Sequence, residues 1–552
     1  MSPIQQMLLG LGGGGDGQWQ SYIDTGFLGN AGDTTFGDYR LNNLYDVRIY
    51  NDHIYAYAHV GSIGDDNDEM GGLIKMKFDG TIVDTLWSYT SVDSQYTFKY
   101  IVPGGYTVDP DDNIYIMNHS SSIGPKRTYM AKFNSSFSQQ WKYKFGPDLE
   151  CEFYGNRGSM LYVPSYGGEP AQIAVGMAAG WIFIKASDGT VGNYRETTWD
   201  EGIRSTGSYA GNPVYTGDGK IWNTMSVKRV SIVNNHSSCV MLMDDGGRNW
   251  DEFSSGGLSD YGRGFSGYSN YSPTSYQCLQ ANDYKEVSSK KYFYTISSTK
   301  KVHNGKQTPL VYRYNITDDT WTMYGGVAHS TSGDGANMES NGYMFIKADD
   351  DGNLWGLLFY HGVASTERNA GGSGMWKNEV WLVKWNTSGT LVTNWRIRFD
   401  EDAFPNNWAT ENNHYLYPQG LDVFPDGDIL VGLRVQVGNW HNSFTGSQDA
   451  YNHGAGSRFH ILMKIKADGS NLGTNGNIEI TNTAIYHSPG AHPSITGLST
   501  NHGVSIGSGA FVSTMSSGNG FAHQTSTNTQ NSWSNTSYDS TYGHWGAVKV
   551  DL

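Results

Sequence analysis

The feature that most constrains this chain is an internal repeat. Self-similarity at a fixed period marks an array of one supersecondary unit. Residues 106–146 read YTVDPDDNIYIMNHSSSIGPKRTYMAKFNSSFSQQWKYKFG. Four β-rich runs (YTVD, IYIMNHS, TYMAKF and QWKYKFG) are separated by turns rich in Asp, Asn, Gly and Ser, which is the hairpin signal. The same order returns at 45–90, 343–399 and 420–480. Weaker copies lie at 173–199, 213–253, 276–324 and 506–552. Units of about 40–60 residues with four strands each predict an all-β chain folded as a single β-propeller. The expected count is eight blades, with seven as the alternative because the third to fifth copies are weak. A pair of β-sandwiches competes, but the turn chemistry recurs at one place in every unit and favours the propeller.

The last unit stops after its third strand, in AVKVDL. Gln18-Trp19-Gln20-Ser21-Tyr22-Ile23, behind a Gly/Asp turn, repeats the pattern of the missing fourth strand. Residues 16–26 are therefore expected to pair with 547–552 and complete the last blade. A ring closed by both termini has no free edge. An N-terminal loop carrying one Trp is the plainer alternative. The expected organisation is an anchor peptide and glycine-rich linker over 1–15, then a propeller over 16–552.

Composition excludes several function classes. Charged residues are 16% and aromatics 14%, the reverse of a disordered chain. A net charge of −16 opposes nucleic-acid binding. The sequence has no long apolar run, so no membrane insertion is expected. MSPIQQMLLGLGGGG lacks the cationic start of a secretory signal. The three cysteines, Cys151, Cys239 and Cys278, form no disulfide or CxxC pattern. Synthesis in a reducing cytoplasm without export is the expectation.

In an up-and-down blade the first and third turns share one end. Short turns (110–113, 425–428, 347–353, 78–81) fall in those positions. Long loops at 254–276, 361–377, 438–458 and 515–545 fall at the other. They are rich in Tyr, Trp, Ser, Gly, Asn and His, a mix suited to recognition and to sugars. The candidate ligand-binding residues are Trp376, Trp440, His441, Tyr451, Tyr268, Tyr271, Trp533 and Trp545. Solvated loops filling space are the bland alternative.

No catalytic motif emerges. HExxH and P-loop patterns are absent. A glycosidase needs a carboxylate pair, and nothing singles out Asp400/Asp402 or Asp251/Glu252. Arg396 and Arg398 are too few for the arginine cluster of a sialidase. His441, His453, His460, Asp449, His523 and His544 have no compact metal spacing. Carboxylates at 348–352 and 109–112 could hold Ca2+, but turn roles account for them. No cofactor is expected. Trp87, Trp141, Trp199, Trp250, Trp321 and Trp395 are expected on the outermost strands, packing between blades.

Two resemblances add to this reading. Asp245–Trp250, DGGRNW, resembles the Asp-box turn of sialidase-type propellers, which lies away from active sites. The opening MSPIQQMLLG resembles the N-terminal peptide of virion proteins in marine tailed phages, notably those of cyanobacteria. That resemblance covers only the first ten to fifteen residues. It implies an anchor that docks on other virion proteins, with Pro3, Ile4, Met7, Leu8 and Leu9 as buried contacts. The implied function is a virion appendage, a tail or head fibre or knob, whose loop-rich face meets a host-surface glycan or outer-membrane protein. A glycan-degrading depolymerase on the same scaffold and a capsid decoration or tail spacer are the alternatives.

Overall fold

The computed structural model describes residues 19–25, 39–62, 70–80, 82–90, 101–120, 127–145, 160–177, 180–196, 203–210, 212–217, 219–229, 236–244, 279–303, 306–318, 320–329, 344–361, 378–399, 415–437, 457–470, 472–475, 478–482, 485–488, 524–525, 531–534 and 545–551. Every regular element among them is a β-strand, and every pairing is antiparallel.

The described strands form seven sheets. Sheet 1 runs Tyr39–Tyr50, His53–Ser62, Met70–Met76, Ile82–Thr90. Sheet 2 runs Ile101–Val108, Ile114–Ser120, Arg127–Phe133, Gln139–Phe145. Sheet 3 runs Met160–Val163, Gln172–Met177, Gly180–Lys185, Val191–Glu196. In sheet 4 the first strand is broken into Ile203–Ala210 and Val214–Tyr215, both against Lys220–Arg229, which also pairs with His236–Asp244. Sheet 5 runs Leu279–Val287, Lys290–His303, Lys306–Asn315, Thr320–His329. Sheet 6 runs Met344–Ala348, Leu354–His361, Asn378–Trp385, Leu391–Phe399. Sheet 7 takes Tyr415–Val423, Ile429–Val437 and Ser457–Ile465 from one stretch of chain, and its next strand is Trp19–Thr25. The first strand of each sheet lies against the first-strand region of the next, and Tyr415–Val423 lies against Tyr39–Tyr50. Four-stranded meanders repeated radially in this way are the organisation of a β-propeller.

Three differences from the sequence reading concern the termini. Trp19–Thr25 does pair with Trp545–Asp551, in the register Trp19↔Asp551 to Thr25↔Trp545. Its other edge pairs with Ser457–Ile465, so it stands as the fourth strand of sheet 7. Ile478–Asn482, expected as that fourth strand, instead pairs with Leu391–Phe399 of sheet 6, where Ile480 is buried with Ile397. Among the described residues, 506–552 form no eighth sheet. Its strands add to outer edges already present: Gln524–Thr525 to sheet 2, Asn531–Ser534 to sheet 1 and Trp545–Asp551 to sheet 7. Ile485–Ser488 adds likewise to sheet 5. From residue 473 on, the chain thus visits sheets 6, 5, 2, 1 and 7, against the order in which the sheets were made. It lays a hydrogen-bonded strand along outer strands that would otherwise be open edges.

The apolar cores lie between neighbouring sheets. Tyr55, Leu73 and Leu86 of sheet 1 pack with Tyr106, Ile116 and Phe133 of sheet 2. Sheets 5 and 6 share a second core around Tyr294, Trp381 and Trp385, and sheets 6 and 7 a third around Trp355, Leu382 and Met463. A fourth-strand side chain meets the third turn of the next sheet at each of these junctions. Trp395 lies where a Cβ on Gly469 would come within 2.9 Å, and Tyr324 where a Cβ on Gly389 would come within 2.7 Å. At the junction of sheets 1 and 2 the sizes are exchanged. Leu86, opposite Leu73, takes the place that Trp395 holds opposite Leu382. Phe137 then stands in the glycine position of the turn, at φ 55°, and is buried beside Leu86. Packed interiors penalise both voids and overfilling, so the small and large partners must change together.

This exchange is testable. Phe137→Gly should cost about 3–4 kcal/mol by emptying the junction, less roughly 1 kcal/mol of left-handed strain relieved. Adding Leu86→Trp should restore part of that loss, and Gly389→Ala alone should destabilise. Urea denaturation of these three variants and of Leu86→Trp alone would measure the coupling. An additive double variant would refute the exchange.

Candidate functional site

The recurring hydrogen-bond register carries one row of equivalent positions around the ring. Second-strand residues Tyr55, Tyr115, Tyr294, Trp355 and Leu430 mark the row. Opposite them on the first strands stand Arg48, Thr107, Asp283, Lys347 and Asp422. Opposite them on the third strands stand Lys75, Lys132, Arg313, Lys384 and Lys464.

The first-strand residues form a polar chain across the junctions. Going from sheet 5 through 6 and 7 to 1, the signs alternate: Asp283, Lys347, Asp422, Arg48. The Lys347 ammonium lies 3.6 Å from Asp283 Oδ1 and 3.3 Å from Asp422 Oδ1. Asp283 Oδ2 accepts the Ala348 backbone N–H at 2.7 Å, and Asp422 Oδ2 accepts the Ile49 N–H at 2.8 Å. Each aspartate therefore reaches the backbone of the following sheet. Thr107 does the same for sheet 3, its hydroxyl accepting the Tyr162 N–H at 3.1 Å. Asp46, two residues before Arg48, holds its guanidinium at 2.6 Å.

The electrostatics follow from burial and pairing. Burial pushes the Asp283 carboxyl up, while Lys347 and the Ala348 N–H pull it back. Asp283 and then Asp422 hold the Lys347 ammonium above its usual range. Burial opposes the Arg48 charge, but Asp46 and Tyr50 outweigh it. Burial, followed by Asp46 and Tyr50, drives the Tyr106 phenol far up. Tyr106 donates its hydroxyl to Tyr55 O at 3.0 Å. These carboxylates already accept backbone N–H groups and face cations, so the row acts chemically as a fastening between sheets.

The third-strand cations brace the same junctions. Lys132 and Trp141 Nε1 both donate to Ala186 O of sheet 3, at 3.0 and 3.4 Å. Arg313 Nη1 donates to Thr387 O of sheet 6 at 2.6 Å. Lys384 stays with Asp349 of its own sheet at 3.1 Å and covers the Trp355 ring.

One group has metal-ligand character. Asp52, His53 and Asp112 each place a donor atom within 4.8 Å of the others. Asp52 comes from the first turn of sheet 1, His53 opens the strand that follows it, and Asp112, at φ 59°, comes from the first turn of sheet 2. Turn duties inside 109–113 fall on Asp109, which accepts Asp111 N, Asn113 N and the Tyr115 hydroxyl. Asp112 is left to face the neighbouring sheet. Sequence spacing hid this set because its members come from two copies of the repeat.

Of the recognition residues expected from sequence, Trp376, Trp440, His441, Tyr451, Tyr268 and Tyr271 lie outside the described residues, as do Pro3, Ile4, Met7, Leu8, Leu9 and the Asp-box-like turn 245–250. Trp533 and Trp545, expected in a loop, stand in strands: Trp533 opposite Ser88 and Trp545 opposite Thr25. Arg396 donates to Thr481 Oγ1 at 3.2 Å and so fastens an added outer strand. Trp87, Trp141, Trp321 and Trp395 are on fourth strands as expected; Trp199 and Trp250 lie outside the described residues.

No family model matches the chain, and no curated protein matches it. Among solved structures, the phage phi92 endosialidase is similar at 10% identity and TM-score 0.39, over 85% of this chain and 75% of that one. The subtype N10 neuraminidase-like protein of A/little yellow-shouldered bat/Guatemala/060/2010 is similar at 8% identity and TM-score 0.32, over 69% and 97%. The Dos1 propeller is similar at 10% identity and TM-score 0.34, over 77% and 94%. Overlap this low describes neither a common site nor a common activity.

If the row fastens the ring, Asp422→Ala should destabilise by about 3 kcal/mol, the low end for breaking a buried pair. The discount is due because the Lys347 side chain keeps 36% of its accessible surface. Asp350→Ala, which removes the exposed partner of Lys285, should cost under about 1 kcal/mol. Chemical denaturation of both variants would compare them, and equal losses would refute the fastening role.

Proposed function

We propose that the chain is a seven-bladed propeller, closed between its seventh and first sheets, that serves as a virion appendage of a tailed phage. On this reading residues 1–10 dock on other virion proteins through Pro3, Ile4, Met7, Leu8 and Leu9. The protein is made in the host cytoplasm and joins the particle there. The end of the ring that carries the long connections faces a host-surface glycan or outer-membrane protein.

One observation carries the reading: the two ends of the ring are built unalike. First and third turns share an end, and five of the first turns are the short pieces 51–52, 109–113, 288–289, 349–353 and 424–428. The charged row and its bracing cations lie close to these turns. Antiparallel alternation ends the second strands Leu354–His361 and Ile429–Val437 at the opposite end, where the long connections 362–377 and 438–456 follow them. Those stretches contain Trp376, Trp440, His441 and Tyr451. A rigid scaffold with variable loops at one end is the usual arrangement for recognition.

Deleting residues 2–10 separates docking from folding. The shortened protein should keep the melting temperature of the full chain and fail to join particles assembled without the native copy. Incorporation at the full-length level would overturn the anchor. Trp440→Ala should weaken binding to host cells with stability unchanged.

A further inference from the structure

We propose that Asp52, His53 and Asp112 bind a divalent transition-metal ion of the Zn2+ type that bolts sheet 1 to sheet 2. The donor set is one imidazole nitrogen and two carboxylates, with ligand atoms within 4.8 Å of one another. Zn2+ accepts that combination with a fourth, oxygen ligand. Ca2+ and Mg2+ take oxygen ligands and would leave the imidazole unused.

Three further features point to a cation here. First, His53 Nδ1 lies 2.6 Å from Asp52 Oδ1 and 4.0 Å from Asp112 Oδ2, yet makes no hydrogen bond among the described residues. The buried imidazole nitrogen is thus flanked by one carboxylate from each sheet, the donor set that an ion would gather. Second, Tyr55 is fully buried and its hydroxyl has no partner among the described residues. Its ring neighbours that of His53, with centroids 6.4 Å apart. The missing partner of this hydroxyl is met by the ion itself or by a water on it. Third, the charges do not balance. Among the described residues, Asp52, Asp109 and Asp112 gather at these two turns, and the ammonium paired with them, Lys75 Nζ, stands 3.6 Å from Asp112 Oδ2, beyond hydrogen-bond reach, and covers the Tyr55 ring. The equivalent lysines do better: Lys132 donates to a carbonyl and Lys464 approaches Asp426 at 2.6 Å.

Neighbouring groups are placed to orient the ligands. Asn51 Nδ2 donates to Asp112 Oδ1 at 2.5 Å and to Asp109 O at 3.2 Å, which leaves Asp112 Oδ2 toward His53. Outer-shell bonds of this kind fix a ligating carboxylate.

The test is calorimetric titration of the metal-free full chain with ZnCl2, repeated on His53→Gln, Asp112→Asn and Asp52→Asn. Asp52 is exposed, so its variant keeps the fold even if the others do not. The chain carries 16 histidines, so the readout is the difference between variants. One class of site should weaken at least tenfold in each variant. Zn2+ should raise the melting temperature of the native chain and leave that of the Asp52→Asn variant unmoved. Identical isotherms for the native and Asp52→Asn chains would overturn the site. So would a melting temperature that Zn2+ raises equally in both.

Discussion

The ring depends on one row of charges whose signs alternate from sheet to sheet. Asp283, Lys347, Asp422 and Arg48 occupy equivalent positions on successive first strands. A single lysine lies between two aspartates, and each aspartate binds the backbone of the sheet that follows. Apolar packing between sheets is nondirectional and would tolerate a sheet sliding along its neighbour. A charge row does not, because a shift leaves buried carboxylates without their N–H donors. From sheet 5 through 6 and 7 to 1, the row therefore sets the height at which each sheet meets the next. Asp422 and Ile49 set it where the seventh sheet meets the first, the junction that covalent connectivity does least to define.

Packing and charge work at the same junctions in different ways. The side chain that fills the gap changes from Trp395 to Tyr324 to Leu86, and the third turn of the next sheet changes with it from Gly469 to Gly389 to Phe137. What persists is the meeting of a fourth-strand side chain with the third turn of the next sheet. Repeats that look degenerate as sequence are thus matched as pairs of neighbours. The units diverge without loosening the interfaces.

Much of this was legible in the sequence. The turns PDDN and PDGD, the alternation of IYAYA and IYIMN, and the Trp of QQWKYKF placed strands and turns close to where they stand. Pairing of the N-terminal strand with the C-terminal one was legible from Gln18-Trp19-Gln20. Ownership of that strand was not, because a strand pattern says which residues are extended and nothing about which of two edges they join. IEITN reads as a fourth strand for sheet 7, yet the N-terminal strand already occupies that place, and its Ile480 packs beside Ile397 of sheet 6. The charged row was hidden for another reason. Asp, Lys, Thr and Arg share no residue type, and only the cross-strand register shows that they hold one position. The grouping of His53 with Asp112 escaped spacing rules because the two stand 59 positions apart in the sequence (112 − 53).

The meeting of the termini has a mechanical consequence. Trp19–Thr25 carries a seven-pair ladder to Trp545–Asp551 on one edge and a five-pair ladder to Ser457–Ile465 on the other. A pull on the first residues of the chain enters the ring along this strand. It loads both ladders lengthwise, so their hydrogen bonds resist together rather than opening one after another. Tension along this strand would then be shared between Trp545–Asp551 and the seventh sheet, and through Asp422 it would reach the first.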